Sequence, residues 1–421
     1  MKVRRIAMLS THGYFDPVPK LGQTDTGGQV VYVLELAKAI ATMGYKVDIY
    51  TRWFDKNRQQ IDPVPENSNV RVIRIPCGPW EFVRKEDIYE YLPELSKNMI
   101  DFIKKEGLDY ELFHGHYVDA GIVTLEVANA FGKPVFFTAH SLGAWKQERM
   151  GGNPEEMEKK YRFDHRISEE KRIFEAVEAQ TVTSDLQHEK LKELYDFTGD
   201  NVSVIPPGVN IHRYLPSDEE GEEKPKDIPD NYIFCLSRID SNKGHAELLR
   251  AFAEITCDFP EVHLVIGGGS PNPGPVEKEV RAQMSQIIKE EKLDDKVTMT
   301  GYIADDMVVP YYQNALFFVL PSKFEPFGMT SQEAMACGKC VLASRFGGIR
   351  NVINNGYNGI LMDPGDKEEF ANAMRLMLRN PEMVSKIGMK SFVHILKHFS
   401  WEAIAQKSLD VYEAYGVLNR N

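Results

Sequence analysis

The 421-residue sequence contains five cysteines, Cys77, Cys235, Cys257, Cys337 and Cys340. An odd, scattered set makes no disulfide framework and fits reduced thiols in a cytoplasmic compartment. Cys337-Gly338-Lys339-Cys340 has redox-motif spacing, but it falls at a predicted helix end rather than after a strand, so inert buried thiols are expected. No apolar run approaches the ~18 residues of a membrane span. The basic start Met-Lys-Val-Arg-Arg leads into an apolar stretch that Thr11-His12-Gly13 closes; a short buried strand explains it better than a signal peptide. Basic residues are outnumbered, 50 Lys and Arg against 62 Asp and Glu, for a net charge of −12. That balance disfavours nucleic acid or an anionic membrane as a partner, while leaving room for a local basic pocket.

What is present is an ordinary globular mixture, 43% hydrophobic and 27% charged, too long for one usual domain. Short β-branched runs alternate with longer helical patterns, which predicts an α/β protein with parallel sheets covered by helices on both faces. Strands are expected near 4–11, 46–51, 70–75, 111–115, 134–138, 178–183 and 202–205. The pattern then restarts, with strands at Asn231–Ile239, Val262–Gly267, Val297–Gly301, Leu316–Pro321 and Cys340–Ala343. Helices at Lys243–Thr256, Val276–Glu291, Phe327–Ala336 and Glu368–Leu378 separate these. Between the halves, Pro216-Ser-Asp-Glu-Glu-Gly-Glu-Glu-Lys-Pro225 offers nothing but its prolines to bury and reads as a solvated loop near a domain junction. Two Rossmann-like halves of about 200 residues each follow, and ligands of such sheets sit beyond the C-terminal strand ends. Two halves facing across a cleft would suit a two-substrate enzyme.

Three segments carry chemistry. Thr26-Gly27-Gly28-Gln29 opens a helix with apolar Val30, Val33, Leu34, Ala37 and Ile40; paired glycines there let backbone amides approach an anion or a sugar, or simply make a tight turn. Ser237-Arg238-Ile239-Asp240-Ser241-Asn242-Lys243-Gly244 ends a strand and opens a helix, so Arg238 and Lys243 can converge on one anion. Phe324-Glu325-Pro326-Phe327-Gly328-Met329-Thr330-Ser331-Gln332-Glu333 sets Glu325 in an extended turn before proline. Its helix start at Gly328–Thr330 can bind phosphate, and Glu333 lies further along.

That combination resembles the family 4 retaining glycosyltransferases of the GT-B fold, over almost the whole chain. The resemblance implies domains at 1–212 (acceptor binding) and 213–395 (nucleotide-sugar binding), with 396–421 carrying a helix near Trp401–Tyr415 that crosses back to the first domain. It implies that Glu325 contacts hydroxyls of the transferred sugar and Glu333 the nucleotide ribose, and that Arg238 and Lys243 hold the diphosphate. Gly28, Phe327, Gly328, Met329 and Thr330 complete the donor set. Cys340 departs from the proline common in the family. There is no Asp-x-Asp anywhere, so no metal and no other cofactor is expected in the chemistry, only a nucleotide-sugar co-substrate.

In the first half, Asp25–Gln29, Arg84-Lys85-Glu86, Gly115-His116-Tyr117, Ala139–Lys146 and His165-Arg166-Ile167 resemble the sucrose-phosphate synthases and, about equally, the mannosylfructose-phosphate synthases. Both groups use fructose 6-phosphate. The resemblance assigns Lys85, Lys146 and Arg166 to the acceptor phosphate, Gly27, Gln29, Tyr117 and Ser141 to its sugar, and His140 to a place beneath the scissile bond. His165 stands where some relatives have a second arginine, which puts that part of the grip in question. His140, Arg238, Lys243 and Glu325 are the expected catalytic set. The leading expectation is UDP-glucose plus fructose 6-phosphate giving sucrose 6-phosphate, with GDP-mannose giving mannosylfructose phosphate as the alternative and ADP-glucose as a further base to test. A separate phosphatase acting on the product is an expected partner. A nucleotide-sugar epimerase and a non-catalytic sugar-sensing protein are the rivals from other classes; the epimerase would not need Lys85, Lys146 and Arg166, and a degenerate sensing protein would be expected to lose some of the site residues, all of which are present.

Overall fold

Five residues, Arg-Ile-Ala-Met-Leu, four of them with wholly buried side chains, form the first strand, β1 (Arg5–Leu9). A strand buried on both faces belongs in the middle of a parallel sheet, and β1 pairs in parallel on both sides. The computed structural model describes residues 4–18, 27–65, 67–217, 225–226, 228–325 and 327–417. Asp25, Thr26, Pro326 and the acidic stretch 218–224 lie outside the described residues.

After β1 come α1 (Gly28–Thr42), β2 (Lys46–Trp53), β3 (Ile61–Val64), β4 (Asn67–Pro76), α2 (Leu92–Lys105), β5 (Leu112–His116), α3 (Val118–Phe131), β6 (Val135–Thr138), α4 (Gly143–Met150), α5 (Pro154–Tyr161), α6 (Phe163–Ala176), β7 (Ala179–Val182), α7 (Asp185–Tyr195) and β8 (Val202–Val204). The second series is β9 (Tyr232–Ser237), α8 (His245–Ala253), β10 (His263–Gly268), α9 (Pro275–Glu290), β11 (Val297–Gly301), α10 (Val308–Asn314), β12 (Phe317–Leu320), α11 (Met329–Ala336), β13 (Val341–Ser344), β14 (Ile360–Met362), α12 (Lys367–Arg379), α13 (Pro381–His398) and α14 (Trp401–Ala414). The chain divides into two units: Met1–Gly208 with Trp401–Asn421, and Val209–Ser400.

The first unit holds an eight-stranded sheet in the order β3-β4-β2-β1-β5-β6-β7-β8, parallel except for β3 against β4. Helix α1 buries Val30, Val33, Leu34, Ala37 and Ile40, and also Tyr32 and Leu36. It is apolar nearly all round because α14 covers its other side with Trp401, Ile404, Ala405, Leu409 and Tyr412. The second unit is a six-stranded, wholly parallel sheet, β11-β10-β9-β12-β13-β14. Numbered within the unit, that is 3-2-1-4-5-6, the doubly wound dinucleotide-binding order. Cys337 and Cys340 are buried, and neither is in a disulfide. Burial pushes the Cys340 thiol up to about 12, as an inert core thiol requires.

Candidate active site

In an open parallel sheet the ligand crevice opens where strand order reverses: between β1 and β5 in the first unit, and between β9 and β12 in the second.

In the second unit the loops after β9 and β12 are locked together. Asp240 caps the short turn Ser241–Lys243 by accepting from the Asn242 amide at 2.9 Å. Gly244 has φ +70, and a Cβ there would stand 2.0 Å from the carbonyl oxygen of Pro321, so only glycine lets the two loops approach this closely. The Asn242 side-chain amide donates to the Phe324 carbonyl at 3.0 Å, and the Lys323 amide donates to the Asn242 carbonyl at 2.8 Å. Glu325 is fixed from the far side by the Gly348 amide, which donates to its carbonyl at 2.8 Å. Gly347, at φ +99, leaves no room for a Cβ against that carbonyl. These contacts bring Lys243 Nζ to 2.6 Å from Glu325 Oε2, and Ser322 Oγ donates to the same oxygen at 3.2 Å. Both side chains of the ion pair are nearly buried, 11% and 12% exposed. Arg238, by contrast, is 83% exposed, its guanidinium 3.5 Å from Asp240.

Helix α11 starts after Gly328, which adopts φ +68 and brings no side chain to cap the helix. The first amides of the helix, those of Met329 and Thr330 among them, have no intrahelical acceptor and are available to an anion. Glu333, inside the helix, faces the protein: the Tyr312 hydroxyl donates to its Oε2 at 2.7 Å. Burial pushes its carboxyl up to about 7, against the opposing hydrogen bonds of Tyr312 and Tyr214 and the charge of Arg213. The two acids of the motif therefore occupy different surroundings, Glu325 on a lysine and Glu333 on tyrosines.

A stability prediction follows from Glu333. The folded chain keeps this proton up to about pH 7, whereas an ordinary glutamate releases it near 4.5. Between those values the folded state binds more protons than the unfolded one, so stability falls as pH rises through the window. At 1.36 kcal/mol per unit the fall is about 3 kcal/mol. Glu333→Gln has no such proton. Urea unfolding at pH 5 and pH 8 is expected to show wild type losing about 3 kcal/mol more than the variant between the two; an equal change in both refutes the assignment.

In the first unit, β5 ends at His116 and Tyr117 turns the chain into α3 with a positive φ of +76 and an extended ψ of 162. Its amide donates to the Thr138 carbonyl at 2.9 Å. Its ring lies between the edge of His12, centroids 4.8 Å apart, and the Arg166 guanidinium, 4.6 Å from the ring centroid. His12 Nδ1 lies 2.9 and 3.0 Å from the two oxygens of Asp119, to which Thr11 Oγ1 also donates. Burial alone would raise the Asp119 carboxyl; His12 and the Thr11 hydroxyl outweigh it and hold it below the usual range. Gln29, on α1, donates through Nε2 to Ser10 Oγ at 3.1 Å and to the His116 carbonyl at 3.2 Å, so the glycine-led helix start is tied to the ends of β1 and β5. Gly27 is the N-cap and Gly28 the first residue of that helix.

His140 follows β6 in a left-handed conformation, φ +55. Its Nε2 is 3.0 Å from His116 Nδ1, and it meets Tyr32 edge-on at 4.9 Å. Burial lowers His140 and His114 to about 3, and His116 well below its ordinary value, so all three imidazoles are neutral at pH 7. Arg166 is 3% exposed. Its Nε donates to Glu170 Oε1 at 2.8 Å and its Nη2 to the Ser141 carbonyl and hydroxyl at 2.8 and 3.0 Å. Glu170 Oε2 in turn accepts from the Gly143 amide at 2.9 Å and from the Tyr195 hydroxyl. Lys146 stands over the Tyr161 ring at 5.3 Å, and Lys85 lies 3.9 Å from Glu86 with 23% of its side chain exposed. His165, at the position in question, meets Tyr89 edge-on at 4.5 Å.

Direct contacts thus join Tyr117, Ser141 and Arg166, join His140 through His116 to Gln29, and join Lys243 to Glu325. Sequence reasoning passed over His12, Asp119, Glu170, Tyr195, Tyr312 and Tyr214. Glu170 had a signal, lying four residues after Arg166 on one helix face; His12 and Asp119 are 107 residues apart and had none.

Two doubly wound α/β units in one chain, each with its polar loops at the strand-order reversal, define the GT-B glycosyltransferase architecture. The comparisons give the family. Residues 26–213 match Glycosyltransferase Family 4, and residues 217–392 match Glycosyl transferases group 1. The chain is 35% identical to mannosylfructose-phosphate synthase of Agrobacterium fabrum over 97% of its own length and 91% of that protein's. It is 32% identical to a probable sucrose-phosphate synthase of Thermosipho melanesiensis (98% and 97%) and 30% identical to D-inositol 3-phosphate glycosyltransferase of Corynebacterium jeikeium (97% and 96%). Among solved structures, sucrose-phosphate synthase from Thermosynechococcus elongatus superposes with a TM-score of 0.77 at 29% identity, covering 98% of both chains. The chain belongs to the family 4 glycosyltransferases and is a hexosyltransferase enzyme. Among the described residues no helix is long and apolar enough to cross a membrane.

Proposed function

We propose that the enzyme moves a hexosyl group, with retention, from a nucleotide sugar to fructose 6-phosphate. The observation that carries the reading is Arg166, bonded to Ser141 and stacked on Tyr117; Lys146 on α4 and Lys85 beside Glu86 are the two further bases the reading assigns to the phosphate. The names of the three groups of relatives support it further, since each contains a phosphate on a sugar or cyclitol.

In this reading the second unit holds the donor. Lys243, Arg238 and the first amides of α11 neutralise the departing diphosphate, as fixed charges and dipoles do where negative charge develops. Glu325 accepts from hydroxyls of the transferred sugar, and Glu333 from the ribose. The acceptor hydroxyl oxygen bonds to the anomeric carbon as the bond from that carbon to the diphosphate oxygen breaks on the same face. The hydroxyl proton passes to the departing phosphate oxygen. This chemistry calls for no metal or other cofactor. His140 borders the reacting atoms, and Gln29, Tyr117 and Ser141 orient the acceptor. Cytoplasmic location and a separate phosphatase for the product belong to the same proposal.

The donor has two readings. UDP-glucose, giving sucrose 6-phosphate, is supported by the TM-score of 0.77 to a sucrose-phosphate synthase; GDP-mannose is supported by the 35% identity to a mannosylfructose-phosphate synthase. The test is a panel of UDP-glucose, ADP-glucose and GDP-mannose against fructose 6-phosphate, fructose and inositol 3-phosphate, with product identification. Turnover is expected with fructose 6-phosphate and one donor. Turnover with inositol 3-phosphate alone overturns the acceptor assignment.

A further inference from the structure

Beneath His140 lies a stack of imidazoles that the proposed chemistry leaves unused. His114 is tied at both nitrogens, Nδ1 to the Tyr412 hydroxyl of α14 at 2.7 Å and Nε2 to Thr138 Oγ1 at 2.8 Å. His116 stacks on it with centroids 4.2 Å apart at 28°. His116 is wholly buried. It spends its Nδ1 on His140 Nε2 at 3.0 Å, and its own Nε2 has no hydrogen-bond partner among the described residues.

Two neutral imidazoles can share that contact in two ways. If His140 donates from Nε2, the proton of His116 must sit on Nε2, leaving an N–H buried with nothing to accept it. If His116 donates from Nδ1, its Nε2 is a bare lone pair, and His140 carries its proton on Nδ1. A buried orphan donor is rarer in proteins than an under-used acceptor, so the second arrangement is favoured. The His140 Nδ1 has no partner among the described residues.

We infer that His116 is a positioning residue which, by donating from Nδ1 to His140 Nε2, fixes His140 as the Nδ1–H tautomer and holds its left-handed backbone in place. The inference rests on the reading that His140 borders the reacting atoms, but it concerns the proton and not the substrate. A non-glycine residue at φ +55 persists only when its surroundings over-determine it. The His116 bond and the Tyr32 edge contact do so from two sides, and the second is backed by Trp401 of α14, 5.4 Å from Tyr32.

Three variants separate tautomer control from bulk packing. His116→Asn places an amide N–H near the position of Nδ1 and can still donate. His116→Ala removes the bond. His116→Asp offers only an acceptor and calls for the opposite tautomer. Imidazole nitrogen-15 NMR of the ligand-free enzyme at pH 7.5, with His140→Gln to assign the resonance, is expected to show protonated Nδ1 in wild type and His116→Asn, and protonated Nε2 in His116→Asp. Turnover at saturating substrates is expected to fall at least a hundredfold in His116→Ala and His116→Asp, with His116→Asn recovering at least tenfold over alanine and KM for the nucleotide sugar changing less than threefold throughout. Thermal melting of each variant guards against simple unfolding, and the NMR arm can be read even on an inactive protein. Protonated Nε2 on His140 in wild type overturns the inference. So does equal loss in all three variants. Correct tautomers with no change in turnover in any variant leave the tautomer assignment standing and overturn the placement of His140 in the proposed site instead.

Discussion

Lys243→Met and Glu325→Gln are each expected to lower kcat by about 10²–10³, the usual cost of removing one preorganised electrostatic group, while the double variant loses little more than the worse single. At 2.6 Å, with both side chains nearly buried, the ammonium and the carboxylate work as one unit. Lys243→Met leaves Glu325 without its ion-pair partner, still bonded to Ser322; Glu325→Gln removes the carboxylate that holds Lys243 in place. Once either is gone the geometry of the other is lost, so the second substitution has little left to remove. A double-mutant cycle on kcat, with nucleotide affinity by calorimetry for all four proteins, checks this. If the double loss equals the product of the singles, the two residues act independently and the pair is not a working unit.

The sequence allowed the fold to be read because its strands are short, apolar and punctuated. Ile6 to Leu9 and Phe317 to Leu320 are buried runs of the kind only a doubly covered parallel sheet needs. β14 is three residues long and only one of them is buried, too little pattern to detect, and β3 sits at an edge with a proline in it, where propensity argues against a strand. Helix α13 also went unmarked. It leaves Met389, Val393 and Leu396 exposed, which blurs its periodicity. In the site, residues whose chemistry is set by local sequence were legible: the Lys243 turn, Glu325 before its proline, the glycine start of α11. Illegible were roles set by long-range partners. Nothing near Glu333 in sequence announces Tyr312 beneath it, and although Glu170 lies one helical turn from Arg166, nothing near Arg166 announces that Ser141 and Tyr117 also depend on it.

That dependence decides how the acceptor phosphate must be tested. Lys146→Ala and Lys85→Ala are each expected to lower kcat/KM for fructose 6-phosphate tenfold to a hundredfold, since a charge-assisted hydrogen bond contributes about 1.5–3 kcal/mol and about 1.4 kcal/mol is a decade. Activity on unphosphorylated fructose, however low, should hardly move, because that substrate never meets either amine. Arg166→Ala is expected to behave differently, although its planar guanidinium is well suited to a phosphate. It is a buried ion pair with Glu170, and removing one partner of such a pair costs about 3–5 kcal/mol because the other charge is stranded. Here the stranded Glu170 also holds Gly143 and Tyr195, and the loop at Ser141 loses its anchor. Arg166→Ala should therefore lower the melting temperature and reduce activity on both acceptors, whereas Arg166→Lys, which keeps the charge but not the fork, should recover stability in part and remain poor on the phosphorylated substrate. The decisive comparison is the ratio of kcat/KM for fructose 6-phosphate to that for fructose across the four variants. A ratio that collapses in the lysine variants supports a phosphate pocket at Lys85 and Lys146. A ratio that stays at the wild-type value in both removes those lysines from the acceptor site, and with them the assignment of a phosphorylated acceptor to this face of the first unit.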